Sequence, residues 1–76
     1  METYYILSGE GNRGAWSKHE LKRVESARTI QNDETSNGDR FARLFLLVSE
    51  DQDGPHVPHL VDLDNGDVRD VPSDIS

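Results

Sequence analysis

Seventy-six residues without a cysteine bound this chain to one domain with a small core and exclude a disulfide framework or a thiolate metal site. Its formal charge of −7 argues against non-specific nucleic-acid binding, which needs clustered cations to displace counterions. The longest apolar run, Leu44 to Val48, has five residues, where a membrane-spanning helix needs about 20.

In chain order, Thr3-Tyr4-Tyr5-Ile6-Leu7 places apolar side chains on both faces of a first strand, the pattern of a strand covered on two sides. Gly9, Gly11 and Gly14 then spell G-x-G-x-x-G. Ser17 followed three residues later by Glu20 forms a capping box, with Trp16 and Leu21 as its hydrophobic staple. Leu21, Val24, Ala27 and Ile30 recur at threes. These signals predict a helix from Lys18 to about Arg28. Gln31 to Arg40 has no apolar residue and reads as a polar loop. Residues 41–48 predict the central strand, with Ala42, Leu44, Leu46 and Val48 on one face and Phe45 and Leu47 on the other. A turn at 50–55 leads to a hairpin over 60–71, in which Asn65-Gly66 suits a type I′ turn. Pro72 ends it, leaving 72–76 as a flexible tail beyond a single domain of residues 1–71. The expected fold is α+β, a three- to four-stranded, mostly antiparallel sheet in β-α-β-β-β order. One helix packs on one face; the other face, with Tyr5, Phe45 and Leu47, stays partly open.

The glycine motif is the fingerprint of a dinucleotide loop, and its context of strand before and helix after is the right one. Three features oppose that reading. The helix of a dinucleotide fold starts at the second glycine, whereas Ser17 starts this one three residues past the third. Glu10 puts a carboxylate where a pyrophosphate would sit, and the chain is too short for two mononucleotide halves. The expectation is a supple strand-to-helix connection and no cofactor. Asp51-Gln52-Asp53-Gly54 resembles part of a calcium loop but lacks its downstream glutamate. His56 and His59, three apart across Pro58, imply no bidentate geometry, so no metal is expected. With no cysteine and no locatable Ser/His/Asp arrangement, an enzyme is not expected either.

Residues 1–48 balance seven acids against seven bases, whereas residues 49–76 carry eight acids and only Arg69. The acidic third suits a basic protein surface or plain solubility. Lys18, Lys22, Arg23 and Arg28 would line the polar side of the predicted helix with Arg13 just ahead. A lone Trp beside arginines is a composition that interfaces favour. Arg13, Trp16, Lys18 and Lys22 are therefore candidate partner-binding residues. Asp62, Asp64, Asp67 and Asp70 form a second candidate surface, with Asp62 and Asp70 on one face of the hairpin and Asp64 and Asp67 flanking its turn.

In layout (the opening Thr3-Tyr4-Tyr5-Ile6-Leu7-Ser8-Gly9, one helix, a two-faced strand, an acidic end) the chain resembles small early proteins of lytic bacteriophages. It is most similar to the RNA polymerase-binding regulators of lytic Xanthomonas phages. That resemblance implies a partner, the amino-terminal part of the polymerase's largest subunit, and a role in inhibiting host promoters and suppressing termination. It carries no diagnostic motif and assigns no residue. The expected function is a non-enzymatic, protein-binding modulator of a bacterial host machine, working in the host cytoplasm, with no direct nucleic-acid or membrane contact. The alternative is an acidic nucleic-acid mimic acting as an anti-restriction or anti-CRISPR inhibitor.

Overall fold

The computed structural model describes residues 1–10, 13–36, 38, 40–49 and 58–73. It is α+β, with β1 (Glu2–Glu10), β2 (Arg13–Leu21), α1 (Val24–Ser36), β3 (Phe41–Val48), β4 (His59–Asp62) and β5 (Val68–Asp70). The strands form one sheet in the order β2-β1-β3-β4-β5, antiparallel at every pairing. The expected class and the central position of β3 hold. The strand count is five, and the chain order is β-β-α-β-β-β.

The added strand is the main correction. Residues 13–21, expected to lead into a helix at Lys18, instead pair with β1 along an unbroken register from Glu2↔Leu21 to Glu10↔Arg13. A capping box is worth about 1 kcal/mol, and a hydrophobic staple only orients the chain. Against this, the ladder gives nine residues a partner strand, and it seats Trp16, half-buried, over Tyr5 and Phe45, where it gains part of the about 1.5–3 kcal/mol that full burial of a large side chain brings. Ser17 and Glu20 therefore cap nothing, and Trp16 and Leu21 form no staple.

The glycine motif resolves with it. Gly9 and Gly14 are cross-strand partners within the β1–β2 ladder; Gly11 lies outside the described residues. At Gly14 an added Cβ would sit 2.7 Å from Leu7 Cδ1. This glycine makes room for a leucine on the sheet surface, and no helix follows it to meet a phosphate.

The helix starts six residues later than expected and runs through six of the ten residues of the predicted polar loop. Glu25 favours its first turn through the helix dipole, and Thr29 Oγ1 donates to Glu25 O at 3.0 Å. It stops ahead of Gly38, whose φ of 111° is open to glycine but strained for other residues. Of the expected stripe, Ala27 and Ile30 meet the sheet, Leu21 packs from the end of β2, and Val24 stays exposed. Gln31 Nε2 donates to Ala42 O at 2.8 Å, fixing the helix to β3.

Each face of the sheet has its own core. Between helix and sheet, Ala27 of α1 packs with Tyr4, Ile6 and Leu44. On the other face Tyr5, Phe45 and Leu60 are also buried, with Leu7, Trp16, Leu47 and Val71 packed on them. The face expected to be partly open is thus closed at its centre, with Phe45 at 0% exposure.

The β4–β5 connection spans residues 63–67. Gly66 has φ of 80°, yet no described non-glycine residue has positive φ, so Asn65 does not complete a type I′ turn. Asp62 organises the connection instead. Its Oδ1 accepts from the backbone N–H of Asp64 (2.8 Å) and Asn65 (3.3 Å), as Asx turns do.

Candidate functional site: the sheet face away from the helix

Directly paired residues share a face, so the registers lay out this surface in rows. One row is Trp16–Leu7–Arg43 across β2, β1 and β3; the next is Lys18–Tyr5–Phe45–Asp62, reaching β4. On one side of these lies Gly14–Gly9–Phe41, and on the other Leu47–Leu60–Arg69. Trp16 leans inward. Its ring centroid is 5.2 Å from Phe45, tilted by 50°, and 6.4 Å from Tyr5 in an edge contact. The Arg69 guanidinium carbon stands 5.2 Å above the Phe45 ring, a cation–π contact worth roughly 0.5–1 kcal/mol at a partly exposed site. Trp16 and Arg69 therefore roof the second core while remaining half-exposed.

The sheet brings together only part of the expected site. Trp16 and Lys18 lie two apart on the same strand face, and Lys18 is exposed. Arg13 sits at the hairpin end of β2, paired in register with Glu10. Lys22 is exposed in the connection to α1, so the proposed cationic helix stripe does not exist; Arg28 alone of that set is helical. Two cations absent from the expected set, Arg43 and Arg69, join Trp16 and Lys18. Arg43 was legible by strand alternation, since it shares the parity of Phe45 and Leu47. Arg69 required the β4–β5 register.

The acidic set divides. Asp62 is 2% exposed and is part of the fold, not of its surface. Arg43 donates to its Oδ2 from Nε at 3.1 Å and pairs with it through Nη2 at 2.9 Å. Asp70 is opposite His59 in register, three residues from Asp62 along β4, so it falls on the other face; the expected pairing of Asp62 with Asp70 on one face is corrected. Asp67 is exposed, 3.8 Å from Arg43 Nη2. Asp64 is paired with Arg28 at 2.8 Å, a surface contact of about 0–1 kcal/mol. Among the described residues, the face away from the helix presents Lys18, Arg43 and Arg69 against exposed Glu20, exposed Asp67 beside Arg43, and the inward Asp62. The helix carries Glu25, Asp33 and Glu34 against Arg28. The aromatic face of this acidic chain is thus balanced in charge, with Lys18 and Arg69 as its cations outside the Arg43–Asp62–Asp67 group.

Other chemistry is sparse. His19 Nε2 lies 2.9 Å from Ser17 Oγ, on the helix side of β2 opposite Tyr4 and Ile6. Ser17 Oγ also donates, at 3.5 Å, to Ile6 O, and the contact reads as a stitch between strands. Burial raises the Tyr4 phenol above its ordinary value, with the Glu2 and Glu25 carboxylates adding to the shift. A recess of about 380 Å³ opens where β1 and β3 stop pairing beyond Tyr4↔Leu46, lined by residues such as Thr3, Leu47 and Val48. No expected site residue lines it. Among the described residues no cluster of three or more metal-ligating side chains occurs, and His56 and residues 51–54 lie outside them. No helix of the described residues is long and apolar enough to cross a membrane. The chain matches no protein-family model, no curated protein and no solved structure.

Proposed function

We propose that the chain is a non-enzymatic, protein-binding modulator that docks through the Trp16 face of its sheet onto an apolar surface rimmed with acids. The observation that carries this reading is Trp16 itself, half-exposed over two buried rings, with Lys18 two residues along the same face and Arg69 over the Phe45 ring that Trp16 packs on. Interfaces concentrate their energy in such packed aromatic anchors, with cations at the rim setting orientation and association rate. Internal pairing of Asp62, Asp64 and Asp67 supports this reading over an acidic nucleic-acid mimic, which needs its carboxylates free. A bacterial host machine is the proposed target, and RNA polymerase is the candidate that the phage resemblance supplies.

The test is binding of the purified chain to bacterial core RNA polymerase, by co-elution and by association kinetics across salt. Lys18→Glu, at an exposed position, is expected to slow association and flatten its salt dependence. Trp16→Ala is expected to weaken binding by on the order of 2 kcal/mol, with circular dichroism checking that it folds. Absence of a complex removes polymerase as the partner. A complex indifferent to both substitutions removes this face as the docking surface, and one displaced by duplex DNA returns the mimic.

A further inference from the structure

We infer that β2 pairs with the β2 of a second copy of the chain, joining two five-stranded sheets into one ten-stranded antiparallel sheet. β2 is the outermost strand on its side. It is nine residues long and holds an unbroken register with β1, so it contains no bulge, and its sequence has no proline. Ala15, Lys18 and Glu20 along it are exposed, and among the described residues no strand pairs with its outer edge. The opposite edge is managed in the usual ways: β5 has three residues and Pro72 follows closely. Natural sheets blunt edges by shortness, proline, bulges or charge, and β2 uses only the last, through Lys18 and Glu20.

The strand is complementary to itself. Antiparallel pairing about a two-fold axis keeps helix side with helix side only when the axis passes through a residue position. Overlap of all nine residues requires that position to be Ser17, the midpoint of Arg13–Leu21. In that register Trp16 of each copy stands opposite Lys18 of the other, Ala15 opposite His19, and Gly14 opposite Glu20. No like charges meet. Moving the axis to Lys18 sets lysine against lysine and shortens the overlap. Centred on Ser17, the lysine that would otherwise guard the edge lies beside an aromatic ring, where a cation is favoured. The pairing also sets the two Trp16 faces side by side on one continuous surface.

The inference does not depend on the proposed partner, because the chain alone tests it. Sedimentation over a wide concentration range should show mass rising from 8.6 kDa to twice that value. Amide exchange should show alternate β2 residues gaining protection with concentration, while β1 amides do not change. The double variant A15K/H19K places like charges opposite each other at both symmetric positions, which should raise the dimer dissociation constant by about tenfold. A15E/H19K should restore it, with far-UV circular dichroism reporting that both variants fold. A chain that stays monomeric at about millimolar concentration overturns the proposal, including the case in which β2 gains protection only on a foreign strand. A dimer whose strength ignores both double variants overturns it as well.

Discussion

Truncating Phe45 tests whether the sheet really has a second core on the face that carries no helix. Phe45 is fully buried there, between the Trp16 ring at 5.2 Å and the Arg69 guanidinium at 5.2 Å. Phe45→Ala removes the ring and leaves a cavity that the stiff sheet cannot collapse, a cost of about 3–5 kcal/mol. Of that, roughly 0.5–1.5 kcal/mol is the loss of the aromatic pair itself. The whole domain, at 76 residues, has a stability of about 4–11 kcal/mol, so the variant loses a large share of it. At about 4–8 °C per kcal/mol for a domain of this size, the expected fall in Tm is at least about 12 °C. Trp16, the only tryptophan, should shift its emission to the red as its packing partner goes. Thermal and urea unfolding followed by circular dichroism and tryptophan fluorescence measure both effects. Val68→Ala, at 65% exposure, is the control and should stay within about 0.5 kcal/mol of the parent. A Phe45→Ala variant less than about 1 kcal/mol below the parent, with unchanged emission, refutes the second core and the rigid seat it gives Trp16.

Asp62→Ala strips the acceptor from two backbone N–H groups and from Arg43, and should cost about 2–5 kcal/mol in urea unfolding; Asp62→Asn, which keeps the two N–H contacts, should cost less. Equal and negligible effects of the two would show that the buried carboxylate does not hold the 63–67 connection. Gly14→Ala forces the end of Leu7 aside, since the new Cβ would lie 2.7 Å from its Cδ1; a loss of about 1–2 kcal/mol is expected. A gain in Tm, the ordinary result of Gly→Ala where space allows, would contradict the packing. The raised pKa of Tyr4 means the unfolded chain gives up this proton first as pH climbs through 10.0, so stability should fall as pH rises past that value. Tyr4→Phe should flatten that slope, and an unchanged slope would sink the assignment.

Much of the architecture was legible in local patterns. Tyr4-Tyr5-Ile6-Leu7 and 41–48 read as strands apolar on both faces because each does face a core on both sides. The hairpin over 60–71 was visible from its turn residues, though not its turn type. The helix was visible as a stripe, Ala27 and Ile30, but its limits were misplaced because an apolar period says little about where a chain enters a helix. Asn37-Gly38, a helix stop signal in the sequence, marks an end just past Ser36 better than the loss of apolar residues at Gln31. Gly11-Asn12, between two runs that can pair, is likewise a hairpin signal.

What the residues determined by themselves is the two-faced apolar strands at 4–7 and 41–48, the α+β class and the confinement of excess acid to the last third. Local energies could not decide the state of residues 13–21. Ser17 and Glu20 satisfy a helix cap, worth about 1 kcal/mol, whereas pairing with β1 is a contact between chain segments whose advantage exists only once β1 is in place. The same holds for the site. Lys18, Arg43 and Arg69 are distant in sequence and share the face of Trp16 only because four registers align their strands. Asp62 lies among acids that the chain otherwise leaves in water, and only closure of the β4–β5 connection against Arg43 turns it inward. Nonlocal pairing decided these features because a strand, unlike a helix, leaves its backbone hydrogen bonds to be made by a neighbour.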